Sequence, residues 1–384
     1  MATFPHDYKS TLPRCVIRLD DTMYDVTNFR NTHPGGAELL DLYHNADATD
    51  VFYAFHSKRA IRQLKNMRGK DADGSDPQRD KISVDFERLR IKLERNGWFE
   101  RNWIAEACLV MGPCLAFCIT GTLLAWSYPV IATILLGIGM QQAGWIGHDY
   151  GHGRGAACKF LNRAFGCIIN GFSTEWWSHK HNTHHAFPNR YDVDSDIHNE
   201  PVLHMHFPKK ENDLWYRKYQ HYYYMFAYAF LYASWRSQSL QFAIGKKDKL
   251  ELALFAVGYA WLLCLPWMVS IGSILVGGWL VAVVVTANHQ PEPKFAQGDK
   301  YNFVADQIIS TRDVECPDWI TEYLFGGMQY QLEHHLFPFL PKYRYRAVRQ
   351  LVKKFCEDHG LEFKCSGIVD IMERNYIEMK KYSA

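Results

Sequence analysis

Two long stretches of this chain carry no positive charge, and they constrain its fold more than any other feature. No Lys or Arg occurs from Ile104 to Gly147, nor from Leu250 to His289, in a chain of 384 residues that holds 43 of them. A helix needs about 20 residues to cross a hydrocarbon core of roughly 30 Å. Ile104–Gly147 is 44 residues long, which as one helix would reach about 66 Å, too long for one crossing and suited to two. Ser127-Tyr128-Pro129 marks the turn, and Leu250–Ala287 folds the same way around Pro266 to Gly272. The expected fold class is therefore an α-helical integral membrane protein with four transmembrane helices in two hairpins, at about 104–126, 129–147, 250–267 and 271–288. The short outer turns lack positive charge, which puts the N- and C-termini and the middle loop together in the cytosol. The alternative, buried core helices of a large soluble protein, carries less weight. A slightly negative mean hydropathy suggests such a protein only because polar segments dilute the two apolar blocks.

A formal charge of +2 gives no field that seeks nucleic acid. The ten cysteines are scattered without a C-x-x-C pair, which argues against a zinc finger or a disulfide scaffold. The opening MATFPHDYKS lacks the apolar core of a secretory signal. Residues 1–68 read as a small polar domain and 69–84 as a flexible linker, on the charged, Gly- and Pro-containing run GKDADGSDPQRD. Residues 85–384 form the membrane domain, entered through Phe86, Leu89 and Leu93 at helical spacing. The aromatic run His221 to Trp235 is short and Tyr-rich, and is expected to lie in the membrane interface.

Histidines carry the chemistry. In the first domain Tyr24-Asp25-Val26-Thr27-Asn28-Phe29 leads to His33-Pro34-Gly35-Gly36, and later to Phe55-His56-Ser57. A six-coordinate haem iron takes two imidazoles from opposite faces. Pro34 and the glycines suit a tight turn and a close backbone approach. This stretch resembles the cytochrome b5 haem-binding domain, an α+β fold, although the segment before Val16 is short for it. The resemblance implies haem b held by His33 and His56; His44 is a rival without matching context, read as surface.

In the second part, His148-Asp149-Tyr150-Gly151-His152 follows the second span directly. His181-Asn182-Thr183-His184-His185 lies in the middle loop, Gln331-Leu332-Glu333-His334-His335 follows the last span, and His289 sits at that span's end. Histidines at i and i+4 share one helix face, and two hairpins returning to one side bring such groups together. Any one of these motifs alone is weak; together, they resemble the membrane-bound fatty acid desaturases over about residues 85–365. Gln331 opening the third motif, with the fused haem domain, resembles the front-end branch, where Leu332 replaces the usual isoleucine.

The resemblance implies a cytosolic helical cap bearing two non-haem iron ions on His148, His152, His181, His184, His185, His334 and His335, with His289 as a further ligand. Gln331 is a possible contact of a metal or a ligand, and His179 a supporting residue. Asp149, Asp192, Asp194, Asp196 and Glu333 are candidates to accept ring N–H bonds. Asp192 to Asp196 is no calcium loop, because Ile197 and Leu203 stand where such a loop needs Gly and Glu. The implied activity is O2-dependent insertion of a cis double bond between an existing one and the carboxyl end of an acyl chain on a lipid or coenzyme A. Electrons would come from an NADH-dependent cytochrome b5 reductase through the haem domain, in the endoplasmic reticulum membrane. A sphingoid-base desaturase or an acyl hydroxylase with the same iron ligands, and a mere membrane-anchored electron carrier, are the competing readings. The basic run Lys342 to Lys354 is either a phosphate or coenzyme A contact or an ordinary juxtamembrane face.

Overall fold

Antiparallel helices from the two charge-free stretches form the scaffold in the computed structural model, which describes residues 10–64, 66–72, 79–208, 213–296 and 298–383. Ahead of them, β1 (Val16–Leu19), β2 (Thr22–Asp25) and β3 (Gly69–Asp71) make an antiparallel sheet in that order, with Val16 opposite Asp25 and Thr22 opposite Asp71. Three short helices, α1 (Ala37–Leu42), α2 (Thr49–Phe55) and α3 (Lys58–Leu64), lie between β2 and β3. The apolar core of this domain, including Ile17, Leu19, Leu40, Tyr43 and Phe52, runs on without a break into Ala186 and Phe187 of the membrane domain.

The stretch expected as a linker over 69–84 is more structured than its composition suggests. Gly69–Asp71 completes the sheet, and α4 (Lys81–Arg95) begins where the Asp80 side chain accepts from the Ser83 backbone N–H. Residues 73–78 of that stretch lie outside the described residues. On α4, Phe86 and Leu93 are buried as their spacing requires, and Phe86 stacks on Phe337 with centroids 5.5 Å apart.

The first hairpin pairs α5 (Trp103–Leu124) with α6 (Pro129–His152), Pro129 opening the second helix where a missing N–H costs nothing. The widened π turn at Glu106–Met111 precedes Pro113, which has no N–H to give. Glu106, an acid inside an apolar block, is accounted for by its partners. Arg101 Nη1 donates to Glu106 Oε1 (2.8 Å) and to Asp149 Oδ2 (2.6 Å), and the Tyr150 hydroxyl donates to Glu106 Oε2 (3.0 Å). This buried cluster ties the entry of α5 to the exit of α6. Helix α6 runs five residues past the boundary expected at 147, and its last turns carry the first histidine motif.

After α7 (Thr174–Ala186) comes the second hairpin, where a helix covers part of the stretch expected as a span at 250–267. The helix there, α8 (Lys249–Leu263), has 15 residues, about 22 Å at 1.5 Å per residue and short of a crossing. Its first turn is held inside the protein: Glu251 is buried and accepts from the Thr174 backbone N–H at 2.9 Å. Three described helices are long and apolar enough to cross a membrane: α5, α6 and α9 (Trp267–His289). Helices α6 and α9 pack through small residues, a Cβ on Gly277 falling 3.1 Å from the Gly137 carbonyl oxygen. In the aromatic run, Tyr224, Tyr228 and Tyr232 are buried while Tyr222, Phe226 and Phe230 are exposed, so rows of aromatics face both ways.

The chain closes with α10 (Gln331–Leu336), α11 (Tyr345–Asp358) and α12 (Ile368–Lys381), the last introduced by a parallel pairing of Asp313–Glu315 with Cys365–Gly367. The basic run on α11 is engaged within the protein: Arg346 pairs with Glu322 (2.7 Å), Arg349 with Asp313 (3.4 Å) and Lys354 with Asp358 (2.9 Å).

Helix α8 meets the segment before α7 at Gly258, where an added Cβ would stand 2.1 Å from the Ile168 carbonyl oxygen. Gly258→Ala is expected to destabilise the folded protein by about 1–3 kcal/mol through overpacking. A lowered thermal midpoint of the detergent-solubilised protein is the readout, and an unchanged midpoint would refute this packing.

Candidate metal centre and haem pocket

In the N-terminal domain His33 follows the turn at Arg30–Thr32, and His56 ends α2. Their rings face each other with centroids 5.8 Å apart and planes 29° from parallel. Nδ1 of His33 donates to the Gly36 carbonyl (3.1 Å) and Nδ1 of His56 to that of Phe52 (2.9 Å), which leaves Nε2 of each ring as the free lone pair. Burial pulls His33 below the ordinary histidine range, and burial together with His33 takes His56 down to about 4. Both rings are thus neutral donors at physiological pH. Gly36 is required twice over: its φ is +92°, and a Cβ there would meet His179 of α7 at 2.5 Å. His44 takes no part; its Nδ1 accepts from the Val16 backbone N–H at 3.1 Å.

The remaining motifs converge. His148 and His152 come from α6, His181, His184 and His185 from α7, His289 from the end of α9, and His334 and His335 from α10. All eight are buried. They form two groups within which the donor atoms lie within 4.8 Å of one another: His148, His152, His181, His185 and His334 in one, His184, His289 and His335 in the other. In the first, Nε2 of His181 is 2.6 Å from that of His148 and 2.9 Å from that of His185. The groups adjoin where His185 stacks on His335, with centroids 4.2 Å apart. Burial, reinforced by neighbouring imidazoles, holds His181, His185, His334 and His335 well below the ordinary range, so they are neutral.

Outer nitrogens of several rings are fixed by partners that the sequence motifs do not contain. Nδ1 of His334 donates to Tyr345 Oη (2.9 Å), that of His335 to Gln307 Oε1 (2.7 Å), and that of His289 to the Ser310 carbonyl (3.0 Å). Gln307 also donates to the His185 carbonyl at 2.7 Å. Gln331 donates its amide N–H to Nε2 of His289 at 3.1 Å. Nε2 of His152 and of His335 are buried with no hydrogen-bond partner. Such orphaned donors cost free energy unless they have a cation to bind, and a set of neutral imidazoles without a thiolate suits iron. The residues fit a pair of ions.

Of the five carboxylates expected to hold ring N–H groups, one does so closely. Asp194 Oδ2 accepts from Nδ1 of His184 (2.9 Å) and from the Asn189 N–H (2.7 Å), with Asp196 further off at 3.7 Å. Burial disfavours charge on His184, but Asp194 and then Asp196 outweigh it and raise that ring's proton affinity. Asp149 is taken by Arg101 instead, and Asp192 is exposed. Glu333 is buried beside Asp313; burial and that neighbouring carboxylate push it far above the ordinary carboxylate range.

The two sites touch. Phe55, which precedes His56, has its ring 5.8 Å from that of His185 and 6.4 Å from that of His152. A narrow crevice lined by Trp145, Phe172, Trp177, Tyr232 and Trp235 reaches His148.

A buried polyhistidine metal centre on membrane-type helices, with a haem-binding domain packed against it, defines a membrane oxidoreductase. The sequence model of the fatty acid desaturase family matches residues 124–367, and that of the cytochrome b5-like haem/steroid binding domain matches residues 6–76. The chain belongs to the fatty acid desaturase family, with haem b and two non-haem iron ions as its cofactors. It is 31% identical to the Delta(6)-fatty-acid desaturase fat-3 of Caenorhabditis elegans over 91% of each chain. It is also 31% identical to a Delta(8)-fatty-acid desaturase of Euglena gracilis, over 91% of this chain and 90% of the other. With the Delta(5) fatty acid desaturase fat-4 of Caenorhabditis elegans it shares 29% identity over 86% of this chain and 87% of that one.

Asp194→Asn removes the negative charge beside His184 and sets an amide N–H against one of the N–H groups that Asp194 accepts. Iron affinity is expected to fall about 10–100-fold, seen as iron lost to a chelator while the haem spectrum is unchanged; full iron retention would show that Asp194 does not support the centre.

Proposed function

We propose that this chain is a front-end fatty acyl desaturase. It inserts a cis double bond between an existing one and the carboxyl end of a long acyl chain carried on a lipid or coenzyme A. The observation that carries the reading is the meeting of eight buried imidazoles from four separate helices beside an aromatic crevice. In this reading His148, His152, His181, His185 and His334 hold one iron, and His184, His289 and His335 the other. Gln331 stands 3.1 Å from Nε2 of His289, the nitrogen that would face the second iron, so its amide lies at the rim of that site. His33 and His56 hold the haem.

When bound, the iron pair supplies the oxygen-derived oxidant needed to remove two hydrogens from an unactivated methylene pair, work beyond any side-chain acid or base. The chain's residues position and enclose. Trp145, Trp177 and Trp235 line an apolar crevice along which an extended acyl segment passes His148. Tyr345, Gln307, Ser310 and Asp194 orient the rings. Phe55 closes the centre on the haem side and brings the two cofactor sites into van der Waals succession.

Electrons enter from an NADH-dependent cytochrome b5 reductase. The membrane is that of the endoplasmic reticulum, with both termini cytosolic. Helices α5, α6 and α9 span it, α8 completes the second hairpin as a fourth, shorter apolar element, and the exposed row Tyr222, Phe226 and Phe230 lies in the interface.

Expression in yeast fed separate polyunsaturated precursors, with localisation of the new double bond, tests the activity. Loss of two hydrogens on the carboxyl side of an existing bond is expected; a hydroxylated or sphingoid product would replace the reading. His334→Ala or His185→Ala is expected to abolish the product while the protein inserts and binds haem as before. Phe55→Ala is expected to leave haem reduction by the reductase unchanged but slow haem reoxidation several-fold in stopped-flow absorbance. Equal reoxidation rates would remove Phe55 from the contact between the sites.

A further inference from the structure

A second group of metal-ligating side chains lies outside the imidazole cage, in the loop that follows α7. His198 donates Nε2–H to the Tyr191 carbonyl at 2.6 Å, so in the neutral ring Nδ1 carries the lone pair, while Glu200 favours positive charge at that position. That Nδ1 faces Glu200 Oε2 at 3.7 Å, while Nδ1 of His206 stands 3.2 Å from Glu200 Oε1. The donor atoms of all three residues lie within 4.8 Å of one another.

Two features of this triad point to a cation. A lone pair opposite a carboxylate oxygen is repulsive unless positive charge sits between them. Nδ1 of His206 is buried and close to Glu200, yet makes no hydrogen bond. The carboxylate is misaligned for an N–H···O bond but not for sharing an ion. A tetrahedral zinc with bonds of about 2.0–2.2 Å holds its ligands roughly 3.4 Å apart, and the two measured separations bracket that value. A further imidazole of the same run, His204, is 1% exposed with neither ring nitrogen hydrogen-bonded. The carbonyl behind His198 is the kind of outer partner that metal-bound histidines use.

We infer that His198, Glu200 and His206 form a divalent-metal clip, suited to zinc and distinct from the iron cage. The clip closes the segment that begins at Tyr191 and includes Asp194, the residue that holds His184. Tyr191 also packs on His206, with centroids 5.5 Å apart, and its hydroxyl meets that of Tyr382 at 3.3 Å. Filling the clip would fix this loop against the C-terminal end of the chain, and with it the support of one iron ligand.

The test uses the full-length, haem- and iron-loaded protein in detergent, equilibrated with zinc chloride and counted for zinc, iron and haem per chain. One zinc beyond an unchanged iron content is expected. His206→Asn and Glu200→Gln should each weaken that uptake at least about tenfold, with iron and haem retained. Absence of extra zinc, uptake equal in the variants, or uptake matched by loss of iron would overturn the inference; the first means that protons alone neutralise the triad. Should the variants fail to fold, X-ray absorption at the zinc edge of the wild-type protein decides. Two imidazoles with a carboxylate oxygen support the clip, and a shell of imidazoles alone refutes it.

Discussion

Packing eight imidazoles into a dry interior sets the terms for the rest of this molecule. Each ring has two nitrogens, and burying either one unsatisfied costs free energy. Each ring must also stay neutral for its lone pair to serve a metal. For four of the rings the outer nitrogen has a fixed partner: Asp194 for His184, Ser310 for His289, Tyr345 for His334 and Gln307 for His335. Those partners choose the tautomer and aim the rings, while the inner nitrogens crowd to within 3 Å in the first group. Gln307 goes further, joining α10 to the backbone of α7 through His335 and His185.

That arrangement requires four helices to end at one level. Helices α6 and α9 deliver His152 and His289 at their last residues, and glycines let the two helices approach closely. The buried Arg101–Glu106–Asp149 cluster anchors the exit of α6, so the carboxylate beside the first histidine serves the helix pair, not the metal. Removing one member of such a cluster leaves an uncompensated charge, which explains why an acid persists in an apolar block.

The haem domain completes the enclosure. Its core is continuous with Ala186 and Phe187 at the end of α7, and the Tyr43 and Tyr301 hydroxyls meet at 2.5 Å. Docking of this kind turns electron delivery from a bimolecular encounter into an event between fixed neighbours. Little of the stretch expected as a flexible linker over 69–84 is free, because Gly69–Asp71 belongs to the sheet and α4 starts at Lys81. Composition signalled disorder there; a strand edge needing a partner and a capped helix decided otherwise.

What the residues announced by themselves were features of short range. Charge-free runs marked the membrane helices, i and i+4 histidines marked shared faces, and His33-Pro34-Gly35-Gly36 marked the haem turn, since local backbone geometry fixes each of these. The membership of the two imidazole groups, the roles of Gln307, Ser310 and Tyr345, and the diversion of Asp149 and Glu333 came only from tertiary packing. No spacing along the chain says that Arg101 will be there to take Asp149, or that a second carboxylate, Asp313, will crowd Glu333. Nor could hydropathy tell that Glu251, at the start of α8, is drawn inward by Thr174, a residue far away in the sequence and adjacent only once the chain has folded.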